Sequence, residues 1–392
     1  MSNSPLGRPF RIGIVGGAPP SMIGPVHRMA AVMDGRFVLV AGVPSSRPER
    51  GRAEGAAIGL AADRVYDNAE AMFAGEAARE DGIEAVAIIT PNDSHAGYLR
   101  AALAAGLDVM MEKPLCNRLD EARALRALVE DSGLAVALTH TYAGYPMLRD
   151  MRARIAGGEI GAVRLVQVEY LAGGLATAVE TTGPKRWRLD PAISGPSLVL
   201  SDIGTHAHHL VSFVTGLPMR SVSADVGTLL PGRQVHDVAQ VRFRLEGGAR
   251  GRLDACNAAA GMSNHLAIRV FGETGHFAWE HRNHTHLIRA NLDGDVTSIG
   301  AGQPNLTRAG ASGLRLRRPG HPEGLIEAVA NLYCGLADGM LARRGFGAPD
   351  GLTPGIDDGV AGLEFVMACL QSSAAGGAET ALADGVSQFQ PR

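Results

Sequence analysis

Residues 11–27 read Arg11-Ile12-Gly13-Ile14-Val15-Gly16-Gly17-Ala18-Pro19-Pro20-Ser21-Met22-Ile23-Gly24-Pro25-Val26-His27. An apolar run ends in paired glycines, and a Gly-Pro step then opens an apolar stretch of helical composition, which predicts strand, tight turn, helix. Glycines let the backbone turn sharply and approach an anion, and the first amides of the following helix would face it. Gly16, Gly17, Ile23 and Gly24 are therefore candidate positions for a dinucleotide pyrophosphate. The turn is longer than the usual G-x-G-x-x-G because residues including Pro19 and Pro20 intervene.

The same alternation continues outward. Phe37–Val43, Glu84–Thr90, Leu107–Met111 and Leu134–Thr139 are short apolar runs of buried-strand character, separated by alanine-rich helical stretches such as Glu49–Leu60, Ala96–Ala105 and Leu119–Ser132. Strand and helix alternating at this spacing predict a doubly wound parallel sheet, which binds dinucleotides at the carboxyl ends of its strands. After the second run comes Pro44-Ser45-Ser46-Arg47, with no acid for a ribose hydroxyl and an arginine that could meet a 2′-phosphate. Ser45, Ser46 and Arg47 thus lean the expected cofactor, NAD or NADP, toward NADP.

Past Tyr145 the pattern changes. Val163–Tyr170, Ser221–Val226, Ala239–Leu245, Arg250–Ala255, Leu266–Phe271 and Gly275–Trp279 alternate apolar and polar residues, with tight-turn signals at Glu246-Gly247-Gly248 and Gly272-Glu273-Thr274-Gly275. The expectation is an α/β dinucleotide-binding domain over residues 1–144 and an α+β domain with a large, mainly antiparallel open sheet over 145–392. One face of such a sheet must be covered by helices or by a second subunit.

Composition bounds the function. A chain of 392 residues with 46% hydrophobic and 20% charged residues is ordinary folded protein, long enough for two domains. A net charge of −3 gives no field for nucleic acid. No leader-like apolar run opens the chain and no long apolar run suggests a span, so neither export nor membrane insertion is expected. Four scattered cysteines fit neither a disulfide framework nor a zinc site, and a reducing cytoplasm is expected. No metal is expected from the histidines at 206, 208, 209, 281, 284 and 286.

Of the 37 basic residues only Lys113 and Lys185 are lysine. Arginine supplies surface charge equally well, but it cannot give up its proton, so a retained lysine is a candidate for proton transfer. Lys113 sits in Glu112-Lys113-Pro114 at the mouth of the predicted sheet. In the second half, a predicted helix Ser201–Val214 places Asp202, His206 and His209 on one stripe.

These elements together resemble the glucose–fructose oxidoreductase, inositol dehydrogenase and rhizopine-catabolism family, Gfo/Idh/MocA. The resemblance rests on the glycine turn, Thr90-Pro91-Asn92 with His95, Glu112-Lys113-Pro114 and Asp202-x-x-x-His206, and spans nearly the whole chain. It implies a Rossmann domain, NAD(P)-dependent oxidation or reduction of a sugar or cyclitol, and homodimers or homotetramers. It also implies cofactor contacts at Thr90, Pro91, Asn92, His95, Glu112 and Lys113, and substrate contacts at Lys113, Tyr142, Arg188, Asp202, His206 and His321. In that reading His206 is the base, Lys113 polarises the oxygen or relays the proton, and Asp202 orients the pair. Two other readings stay open on the sequence: a redox-neutral, nicotinamide-dependent glycoside-cleaving enzyme, and a sugar- or nucleotide-sensing regulator.

Overall fold

The computed structural model describes residues 5–177 and 186–382. Two compact units emerge, one made of Met1–Gly144 with Leu325–Gly359 and the other of Tyr145–Gly324 with Val360–Arg392. The first unit thus joins residues 1–144 to a later segment, 325–359. Helix Leu325–Ala342 returns to the first unit, where it packs on helix Ile23–Met33 and on the turn Thr141–Gly144. Its buried residues include Val329, Leu332, Tyr333, Leu336 and Met340. An apolar helix face shows that a partner is needed, not which part of the chain supplies it.

The first unit holds a five-stranded, all-parallel sheet: β1 (Phe10–Gly16), β2 (Phe37–Val43), β3 (Ala85–Ile89), β4 (Asp108–Met111) and β5 (Val136–Leu138), in the order β2-β1-β3-β4-β5. β3 and β4 are buried at every residue, which is why, apart from Asp108, they read as apolar runs. The chain leaves β1 toward β2 on one side and reaches β3 on the other, so the end of β1 is the point where the strand order reverses. Helix Leu119–Ser132 has the bounds read from sequence and is closed by Gly133 at φ 63°. Helix Ala69–Ala77 was not anticipated; it is announced only by Asn68, whose side chain accepts from the Ala71 amide at 2.8 Å.

The second unit is a nine-stranded sheet of β6 (Leu165–Leu171), β7 (Met219–Gly227), β8 (Val238–Leu245), β9 (Arg250–Cys256), β10 (His265–Phe271), β11 (Gly275–Glu280), β12 (His286–Asn291), β13 (Val296–Gly300) and β14 (Thr380–Ala381). The order is β13-β12-β11-β10-β6-β9-β8-β7-β14, antiparallel throughout except where β6 runs parallel to β9. One face buries Val168, Val241, Leu253 and Ile268 under helices that include Pro146–Ala156 and Thr205–Thr215. The last three strands went unread because β12 and β13 carry polar residues and β14 is two residues long.

Helix Leu325–Ala342 is the one helix among the described residues long and apolar enough to cross a membrane by length and composition. It carries Glu327 and Asp338, and most of it is packed inside the first unit.

Candidate active site

The turn after β1 needs glycine for steric reasons. Gly16 and Gly17 have φ of 83° and 78°, a region that disfavours any side chain. A Cβ at Gly16 would lie 2.2 Å from the Ile89 carbonyl oxygen, and one at Gly24 1.9 Å from that of Gly17. Helix Ile23–Met33 therefore begins pressed against the turn; Arg28 donates to the Gly17 carbonyl at 3.0 Å and the Gly24 amide to Ser21 Oγ at 3.1 Å. After β2, Ser45 Oγ accepts from the Arg47 amide at 3.2 Å, and Ser46 and Arg47 are exposed.

Beyond β3 and β4 the expected residues gather at the strand ends. Thr90 Oγ1 accepts from Ser94 Oγ at 2.7 Å, and Asn92 is buried in the turn that follows Pro91. His95 is fully buried, with Nδ1 2.7 Å from the Pro114 carbonyl oxygen and Nε2 2.9 Å from that of Thr90. Each ring nitrogen faces the carbonyl oxygen of one strand end, and the neutral ring donates to one of the two. Burial pushes its pKa down against the pull of both carbonyls and of Glu112. Lys113 and Glu112 are half-buried at this edge, and the Lys113–Pro114 peptide is cis.

Glu112 is held from inside. Its Oε1 accepts from Thr139 Oγ1 at 2.6 Å and from His27 Nε2 at 2.9 Å. Burial raises the Glu112 carboxyl, but the hydrogen bond and charge of His27, the Lys113 charge and Thr139 outweigh it and bring the pKa to about 2. Tyr142 is buried in the turn Thr141–Gly144. That turn is pinned by Asn331 Nδ2, which donates to the Gly144 carbonyl at 2.8 Å, and a Cβ at Gly144 would lie 1.9 Å from the Ala328 carbonyl oxygen.

In the second unit, the helix expected over Ser201–Val214 begins instead as a π-helical segment, Leu200–Gly204, and becomes α-helical at Thr205–Thr215. Val211 and Val214 are buried along with His206, His208 and His209. The helix lies in the core, and its polar side chains find aromatic partners there. His208 stacks on Phe365 at 4.7 Å, His209 on Phe213 at 5.7 Å, and the His206 ring lies 6.2 Å from that of Tyr170. Asp202, on the π segment, takes an ion pair from Arg188 at 3.0 Å, and Arg188 lies over the Trp187 ring at 5.2 Å. A π segment inside a helix is frequent at functional sites because it displaces side chains from the regular ladder.

His321 is exposed in the loop before Leu325, its Nδ1 3.2 Å from the Pro319 carbonyl oxygen. Lys185 lies outside the described residues. Among the described residues no set of three His, Cys, Asp or Glu side chains is arranged to hold a metal ion. Sequence reasoning missed His27, Thr139, Tyr170 and Tyr333, which adjoin Glu112 or His206 only through pairings the sequence does not reveal.

The geometry suits a dinucleotide: a turn only glycine can make, a helix starting against it, and an ionised carboxylate at the sheet edge. The NAD-binding Rossmann model of the oxidoreductase family matches residues 10–140, and the GFO/IDH/MocA C-terminal domain matches 148–278. A Bacillus subtilis protein described as an uncharacterized oxidoreductase, YfiI, is 34% identical over 94% of this chain and 95% of its own. An inositol dehydrogenase homolog from Azotobacter vinelandii complexed with NAD+ superposes with a TM-score of 0.90 at 36% identity, over 95% of this chain and 97% of that one. Its complex with NADH and myo-inositol gives 0.88 at 35% identity, over 95% and 98%. The parallel sheet with its glycine turn and the mixed sheet behind Asp202 and His206 are thus the two halves of one known architecture, and the chain belongs to the Gfo/Idh/MocA family of NAD-binding oxidoreductases.

Proposed function

We propose that this enzyme oxidises a secondary alcohol of a cyclitol or sugar to the ketone, or runs the reverse, with His206, Asp202 and Lys113 as the reacting set. The observation that carries the reading is the Arg188–Asp202 ion pair four residues before His206, at the start of a helix that buries His206, His208 and His209. When bound, nicotinamide supplies the acceptor or donor of hydride. His206 takes the hydroxyl proton, since an imidazole exchanges protons near neutrality. Lys113 donates to the same oxygen and favours its deprotonated form. Asp202 fixes the charge balance around the base, and Arg188, already oriented by Asp202 and Trp187, is the natural donor to a neighbouring hydroxyl. Tyr142 and His321 complete the proposed substrate contacts.

Gly16, Gly17, Ile23 and Gly24 are the proposed pyrophosphate contacts, with Thr90, Pro91, Asn92 and Glu112 toward the nicotinamide half and His95 supporting them from behind. Half-buried Ser45 and exposed Ser46 and Arg47 follow β2, where the adenosine ribose belongs in this fold, and Arg47 keeps NADP a candidate beside NAD.

The partner we propose is a second copy of the chain on the open sheet face. Along that face the register aligns Arg242, Arg252, Gln167 and Arg269 in one row and Asp225, Gln240, Asp254, Glu169 and Glu280 in the next. Two copies related by a two-fold axis would set each basic row against an acidic one. A cavity of about 600 Å³, lined by residues from both rows and by Ser373 and Gly377, interrupts the face.

The reading is tested by turnover. His206→Asn, which keeps the size and loses the base, is expected to lower kcat by about 10²–10⁴-fold with the coenzyme Kd little changed. Unchanged kcat would remove His206 from the mechanism.

A further inference from the structure

The interior of the first unit contains a polar chain that the proposed chemistry does not use. It starts at Glu112, passes through His27 and ends at Tyr333, whose hydroxyl lies 2.7 Å from His27 Nδ1. His27 and Tyr333 are each 1% exposed. Tyr333 packs edge-on against His27 at 5.8 Å and against Phe37 at 5.8 Å, so the chain ends in the aromatic core and reaches no solvent. A path that stops inside the core cannot deliver protons. Holding a carboxylate in place is what it can do.

The geometry at Glu112 shows what is held. Both inner hydrogen bonds, from His27 and from Thr139, fall on Oε1. Among the described residues Oε2 accepts none, and the Glu112 side chain keeps 13% of its surface exposed, at the carboxyl end of β4. The carboxylate oxygen can only accept, so Nε2–H of His27 donates to it. Tyr333 occupies the opposite nitrogen and prevents the ring from turning away. His27 also sits on helix Ile23–Met33, the helix that starts against the glycine turn. One side chain therefore links the element beside the pyrophosphate position to the acid at the nicotinamide end.

We propose that His27 and Tyr333 are positioning residues for coenzyme binding: they fix Oε1 of Glu112 so that Oε2 stays presented as an ionised acceptor for a hydroxyl or amide donor of the nicotinamide riboside. This rests on the coenzyme reading above. Neither residue touches the ligand; each acts through Glu112.

The test is equilibrium binding of NADH and of NADPH, followed by their fluorescence without any polyol, in wild type and in Tyr333→Phe, His27→Leu and His27→Gln. Tyr333→Phe removes one oxygen from a buried ring and keeps its shape, so it remains informative if His27→Leu does not fold. The expected results are a several-fold higher Kd in Tyr333→Phe, about tenfold or more in His27→Leu, and recovery of most of that loss in His27→Gln, whose side-chain amide still reaches toward Glu112 as a donor. The polyol KM at saturating coenzyme should stay within twofold of wild type. Folded variants with wild-type Kd, or a Gln variant no better than Leu, would overturn the positioning role. Wild type that binds neither nucleotide would instead overturn the coenzyme reading, so the two failures are distinct.

Discussion

At the scale of single residues, charge is kept where burial would remove it. Burial alone would raise the Glu112 pKa, yet its hydrogen bonds and neighbouring charges bring it to about 2. Its folded pKa lies below the ordinary value of about 4.3, so the stability it contributes is present above that value and is lost as pH falls from about 4.3 to about 2. His95, whose pKa burial depresses, acts in the same direction at higher pH: its contribution is present above about 6.5 and declines as the solution becomes more acidic. Thermal unfolding followed from pH 8 to pH 3 is therefore expected to show Tm falling in two stages, and His95→Asn should abolish the upper one. A Tm independent of pH across the upper range would show that His95 is not held neutral. Lys113 could be singled out from sequence because arginine replaces lysine almost everywhere else. His27 could not, because a lone histidine on an alanine-rich helix carries no sign of the strand end it meets.

Among the elements, turns and helix starts decide more than strands. The strands of the parallel sheet were legible because burial on both faces makes them largely apolar, and the glycine turn was legible because steric exclusion leaves no other residue. Gly24→Ala would place a methyl 1.9 Å from the Gly17 carbonyl oxygen, so the helix must retreat from the turn. The expected outcome is a loss of NADH affinity of at least about tenfold and a destabilisation of about 1–3 kcal/mol. An alanine variant with native affinity and Tm would contradict the close packing of helix on turn. The π segment carrying Asp202 was not legible, because the pattern of Ser201–Val214 fits an α-helix and the shift in hydrogen bonding comes from the packing around it. The outlying strands β12 to β14 were missed for the opposite reason, having too little apolar alternation to mark them.

For the molecule as a whole, the chain's route was harder to read than either fold class. Both classes followed from periodicity, while the return of Leu325–Gly359 to the first unit depends on long-range packing that no local pattern encodes. The charge rows on the open sheet appear only once register is known. Replacing both Arg242 and Arg252 with glutamate would set acid against acid across the proposed two-fold. Sedimentation is expected to show a dimer for wild type and at least about tenfold weaker association for the double variant. A wild-type monomer at micromolar concentration would contradict the paired-sheet arrangement. The central claim is hydride transfer between a polyol carbon and nicotinamide, with His206 taking the hydroxyl proton and Lys113 donating to its oxygen, and it is tested most directly by reduced-nicotinamide absorbance. Purified protein would be offered NAD and NADP separately against inositols and aldoses, beside Lys113→Met. The account predicts reduced coenzyme with at least one polyol, and turnover at least about 10²-fold slower in the variant while coenzyme affinity stays within a few-fold. Turnover undiminished in Lys113→Met, or bound coenzyme that no polyol reduces, would contradict it.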